Sequence, residues 1–139
     1  VYSYVCDFPN NLLKNHPRVV TLPHLGASTQ QAEDNCAIMV AEEVRDFLEN
    51  GNVRNSVNFP EMQMPRNGAN RIAVVNENVP NMLGQISTCI ADAGLNILDM
   101  LNKSRHELAY TLVDVDSDVP PGCLEHMAGI KGVLNVRSL

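Results

Sequence analysis

The sequence predicts a mixed α/β chain in which a compact βαββαβ sandwich over residues 71–139 follows two short strands and one long amphipathic helix. Three observations predict it. Two strand–helix–strand patterns of similar length succeed one another in the second half, a helical 3–4 periodicity runs from Thr29 to Asn50, and between Gly51 and Asn70 all periodicity disappears.

Residues 2–8 are β-prone, and Pro9 with Asn10 and Asn11 ends that strand by removing a donor and favouring a turn. A second short strand begins at Arg18 in "RVVTLPH" and is expected beside the first in one sheet. Next comes the clearest helix, "STQQAEDNCAIMVAEEVRDFLENG". Ser28 is its expected N-cap, with Gln31 completing a capping box. Glu33 and Asp34 suit the positive end of the dipole, and Gly51 suits the left-handed position past the last turn. Ala32, Cys36, Met39, Val40, Val44, Phe47 and Leu48 share one face, which predicts that the helix packs on something large.

"VNFPEMQMPRNGAN" has the prolines, glycine and scattered polar residues of an interdomain connection. The expected division is therefore residues 1–58, a linker over 59–70, and a second domain over 71–139. In that domain "RIAVVNEN" is a strand, Pro80 is expected at the first position of a helix, and Gly94 closes the helix before the strand "LNILDMLNK". "LAYTLVDVD", "PPGCLEHMAGI" and "VLNVRSL" repeat the strand, helix and strand. Right-handed crossovers in both units specify a ferredoxin-like fold.

Composition narrows the function. Ten Lys and Arg against 16 Asp and Glu leave a net charge of -6 and a pI near 5.0, so a phosphate-binding basic surface has nothing to draw on and nucleic acid is not an expected partner. The four cysteines, Cys6, Cys36, Cys89 and Cys123, lack metal-ligand spacing and are read as packed, reduced thiols of a cytoplasmic protein. No metal site and no membrane segment are expected. The acidic run from Asp114 to Asp118 lacks the glycine and terminal Glu of a calcium loop and is read as a solvated turn and helix cap. The chain opens on "VYSYVCDFP" with a strand already under way, which reads as the remainder of a longer protein.

"PHLGAST" before a long helix, then "VNFPE", then a βαββαβ module opening on "NENVPNMLG", resembles the C-terminal portion of the D-3-phosphoglycerate dehydrogenases, members of the D-2-hydroxyacid dehydrogenases that end in an ACT domain. The resemblance spans essentially the whole chain. It implies that residues 1–58 come from a Rossmann-type dehydrogenase region and that His24 is the catalytic acid–base group. That role suits the chemistry, since removing hydride from a secondary alcohol leaves a hydroxyl proton that imidazole can take near neutral pH. A His after Pro could equally just end a strand. Asp7, Gly26 and Ala27 are implied to lie near an NAD cofactor, although a turn carboxylate and helix capping would account for Asp7 and its neighbours. No GxGxxG fingerprint occurs, and the family's substrate-binding Arg and the carboxylate partner of its His are expected upstream of Val1, so this segment alone is expected to be inactive. The unpartnered helix is expected to leave residues 1–60 self-associating or disordered.

Three asparagines crowd the joint between a strand and a helix: Asn76, Asn78 and Asn81. An amino acid zwitterion sets a carboxylate beside an ammonium, and an asparagine amide offers a donor and an acceptor together. A helix N-terminus adds free N–H groups. In the family, ACT domains pair side by side and hold an effector between subunits. By that resemblance Asn78 and Asn96 bind it from opposite sides of a dimer interface, with Asn76 standing where some relatives carry His. L-serine is the implied effector, acting by feedback through a hinge in residues 60–70. Asn81 departs from the family's Pro-Gly, and it either closes the pocket, widens its hydrogen bonding, or faces solvent. Each asparagine alone is ordinary turn chemistry. The competing expectations are an ACT module kept only for assembly, and a dehydrogenase of another 2-hydroxyacid.

Overall fold

A computed structural model describes residues 2–67 and 70–139. The chain divides into two compact units, Val1–Val40 and Ala41–Leu139.

In the first unit β1 (Tyr4–Cys6) pairs in parallel with β2 (Val19–Thr21), Tyr4 opposite Val19. The Asn10 side chain accepts the N–H groups of Leu12 and Leu13, each at 3.1 Å, and so stops the chain after β1 as an Asx turn. Helix α1 (Gln30–Asn50) starts one residue later than Ser28 would place it: the Ala32 N–H donates to Thr29 Oγ1 at 3.2 Å, so Thr29 is the cap. Ser28 is spent in the preceding turn, its N–H on the Leu25 carbonyl. No residue of α1 is buried, and Met39, Val40, Val44 and Leu48 stay exposed on its apolar face.

The second unit contains β3 (Asn70–Glu77), α2 (Met82–Asp92), β4 (Ile97–Arg105), β5 (Leu108–Val115), α3 (Pro121–Ala128) and β6 (Val133–Ser138). The four strands form one antiparallel sheet in the order β4-β5-β3-β6, with β3 and β5 central. That is the ferredoxin-like βαββαβ arrangement. Alternation along the strands sends Ile72, Val74, Val113 and Val115 to one face, where they meet Ile86, Cys89 and Ile90 of α2 and Cys123 and Met127 of α3. Helix α2 does not begin at Pro80. Asn81 takes a left-handed φ of 69°, which no helix interior accepts, so Pro80 and Asn81 form a turn ahead of Met82.

The opposite face carries Ala73, Tyr110 and Leu112, and the connecting segment covers it. Val53 and Met62 exchange backbone hydrogen bonds of 2.8 and 2.9 Å, and Met62 is fully buried against the sheet beside Met64. Residues 51–65 are thus packed on the sheet and are not a free tether. Gly51 opens this segment at φ 74°, and its carbonyl accepts the Tyr110 hydroxyl at 2.8 Å.

Two sequence expectations are corrected on this face and on α1. Asp114 is not a solvated turn residue: it lies directly opposite Arg71 in the β3–β5 register, fully buried and ion-paired to it at 2.5 Å. Strand alternation turns both side chains under residues 51–65. Cys89 and Cys123 are packed between α2 and α3, but Cys36 is exposed on α1.

Candidate functional site

The β3–α2 joint is built by three local devices. At the end of β3 the register with β6 slips between Val75 and Asn76, and the Glu77 N–H turns to the Gly132 carbonyl at 2.7 Å. Asn78 is then tied to the β4–β5 turn through its N–H on the Glu107 carbonyl at 2.8 Å and its Nδ2 on the His106 carbonyl at 3.1 Å. Asn81 holds the position before α2 with no capping bond from its side chain, which leaves the helix N–H groups unclaimed by it.

These devices frame a half-open cavity of about 180 Å³ whose walls include Asn76, Asn78, Asn81, Met82, Gly84 and Asn102. Asn76 is only 1% exposed. Its Nδ2 donates to the Glu77 carbonyl at 2.7 Å, and its Oδ1 has no hydrogen-bond partner among the described residues. Asn102, on the edge strand β4, donates from Nδ2 to Thr111 Oγ1 at 2.7 Å.

The structure therefore brings together Asn76, Asn78 and Asn81, and adds Asn102, which the sequence reading missed. Within one chain it does not bring Asn96 to them. Asn96 lines a separate hollow with Ser87, Thr88 and Leu95, and its N–H donates to Asp116 Oδ1 at 3.0 Å. That bond, followed by one from Ser117, holds the Asp116 carboxyl below its ordinary value.

In the first unit His24 and Asp7 are in direct contact, Nδ1 to Oδ2 at 2.9 Å, and the Phe8 ring stands edge-on to the imidazole. Both side chains are mostly exposed. Gly26 and Ala27 lie in the exposed turn between β2 and α1, with open space where a Gly26 side chain would sit. Among the described residues no cluster of three or more His, Cys, Asp or Glu could hold a metal ion, and no helix is long and apolar enough to cross a membrane.

No protein-family model matches the chain. It is similar along almost its whole length to D-3-phosphoglycerate dehydrogenases: 32% identical to that of Escherichia coli K12 over 139 residues, covering 99% of this chain and 32% of the relative. The enzyme of the same name from Haemophilus influenzae is 30% identical over 128 residues, covering 91% of this chain and 31% of the relative. The chain thus spans about a third of the length of these curated relatives. Among solved structures it is similar to the ACT domain of GTP pyrophosphokinase from Chlorobium tepidum, with a TM-score of 0.45 and 18% identity over 50% of this chain and 95% of that one. An ACT domain protein from Streptococcus pneumoniae gives a TM-score of 0.43 and 22% identity, over 50% of this chain and 85% of that one.

Proposed function

We propose that this chain is the C-terminal, regulatory portion of an NAD-dependent D-3-phosphoglycerate dehydrogenase of L-serine biosynthesis in the cytoplasm. Its βαββαβ half serves as an ACT module that binds an amino acid effector, L-serine, where two copies meet. The observation that carries this reading is the asparagine-walled cavity at the N-terminus of α2, in a chain that matches those dehydrogenases along its length. Asn78 lies at its rim, and Asn96 of a second copy supplies the other half of the site. Serine's carboxylate lies toward the free N–H groups of α2, and the amides receive its ammonium and hydroxyl. An effector held between two copies favours whichever state brings those surfaces to its own length, and so biases the dehydrogenase attached to them.

In the proposed parent enzyme His24 holds the substrate's hydroxyl proton. Its Nδ1–H donates to Asp7 Oδ2, so a carboxylate of this chain, in place of the one the resemblance put upstream of Val1, fixes the tautomer and leaves Nε2 free to accept that proton. The open turn at Gly26 and Ala27 fits close approach of a flat cofactor ring to the backbone, and NAD, when bound, supplies the hydride acceptor. The described residues contain no glycine-rich phosphate cradle, so the remainder of an NAD site belongs to other parts of such an enzyme.

A second reading, an ACT module used only for assembly, draws on one observation. The Asn78 amide is already engaged with the His106 carbonyl, which is what a purely structural turn residue does. Calorimetric titration of L-serine into the chain, with glycine and D-serine as controls and sedimentation to follow the oligomer, separates the two. Stereospecific heat that disappears in Asn78→Ala and Asn96→Ala while the dimer persists supports effector sensing. A stable dimer that gives no heat with any of the three supports assembly.

A further inference from the structure

We propose that Asn102 and the unpartnered oxygen of Asn76 form a selectivity floor in the α2 cavity, which accepts a small, uncharged amino acid side chain only if it carries a hydrogen-bond donor. The inference rests on the effector reading and assigns a determinant that reading does not contain.

Three features point there. None of the cavity's lining residues is ionisable, so an anionic or cationic side chain entering it would be desolvated without a counter-charge. The Asn76 amide is oriented by its bond to the Glu77 carbonyl, which identifies the orphaned atom as the acceptor Oδ1 and leaves a buried acceptor facing no donor of the protein. A native fold rarely leaves such an atom bare, and an occupant that donates to it recovers the lost hydrogen bond. Asn102 approaches from another strand. One N–H of its Nδ2 goes to the buried Thr111 hydroxyl, and its carbonyl oxygen is left as an acceptor for an occupant. Two acceptors on one small, neutral cavity ask for a hydroxyl or amide donor. An aliphatic side chain of the same size would leave both unsatisfied, and a carboxylate would face two oxygens.

The loop residue Asn81 fits the same account. Its side chain makes no capping bond and lies against Gly84, where a Cβ would come within 2.5 Å of Asn81 Oδ1. Gly84 therefore leaves room for the Asn81 side chain, which lines the cavity.

The test is competitive calorimetry on the full chain with L-serine, L-alanine and L-aspartate, repeated for Asn102→Leu. The expected result is binding of L-serine about tenfold or more tighter than L-alanine, no heat with L-aspartate, and a serine preference over alanine that collapses to about threefold or less in Asn102→Leu. An Asn102→Val variant guards against misfolding, because its β-branched side chain suits a strand while withdrawing every polar atom. It is expected to narrow the preference in the same way. If serine binds and its preference over alanine is unchanged in both variants, the selectivity floor is overturned while the effector reading stands. If none of the amino acids binds the native chain, the effector reading fails and this inference fails with it.

Discussion

The Arg71 guanidinium grips both oxygens of the Asp114 carboxylate, at 2.5 Å from Nε and 2.8 Å from Nη2, with neither side chain exposed to solvent. The same guanidinium donates to the carbonyls of Asn50, Met64 and Pro65. One arginine therefore fastens the end of α1 and the connecting segment to the central strands. Asp114→Ala leaves that cation buried without its partner and is expected to lower unfolding stability by about 3–5 kcal/mol, measured by urea denaturation.

The pH dependence of the same pair has a definite sign. Burial alone would raise the Asp114 carboxyl, but hydrogen bonds from Arg71 and the Asn67 N–H, with the charges of Arg71 and Arg66, outweigh it and hold the group below 3.8. Its folded value is thus depressed relative to the unfolded chain. The stabilisation is fully present above about pH 4, the unfolded range, and is lost as pH falls through the lower folded value. Urea midpoints from pH 6 down to pH 3 should fall, and Asp114→Asn should flatten that slope.

Met62 fills the centre of the sheet face beneath the connecting segment. Met62→Ala should cost about 2–5 kcal/mol, as for other buried large-to-small changes, in a thermal or urea unfolding curve. A segment that merely tethered two domains would show almost no change.

The thiols should separate cleanly by reactivity. Cys36 is exposed, whereas burial first, then the neighbouring Cys123 and Asp92, pushes the Cys89 thiol up to about 11. Alkylation at pH 8 followed by mass spectrometry should label Cys36 in the native chain and reach Cys89 only after denaturant is added.

Gly84→Ala couples the fold to the site. A Cβ there would meet Asn81 Oδ1 at 2.5 Å, and that oxygen ends a side chain free to swing away. Stability should hold or rise by about 0.5–1 kcal/mol, as helix propensity favours alanine. L-serine affinity should fall about tenfold, as the loss of one hydrogen bond from the displaced amide would give.

Much of this architecture was legible in the residues. The run "RIAVVNEN" announced β3, and Gly94 marked the end of α2. Periodicity failed where the physics is not periodic. Met62 and Met64 sit in a proline-punctuated stretch too short to show a repeat, so their burial could not be read from spacing. Arg71 and Asp114 are far apart in sequence, and only the β3–β5 register sets them opposite each other. In the site, Asn76 and Asn78 stood out because a strand–helix joint concentrated them. Asn102 was a lone amide in an edge strand and gave no signal until the sheet placed it across from the joint.

Mixing Asn78→Ala with Asn96→Ala tests the central claim most directly. If the effector site joins Asn78 of one copy to Asn96 of another, a mixed dimer gathers both substitutions into one site and leaves the other intact. Each variant alone should give no calorimetric heat with L-serine at concentrations that saturate the native chain. The mixture should then regain one site per mixed dimer. Failure of the mixture to regain any binding, with mixed dimers shown to form by mass spectrometry, would contradict a site shared between copies.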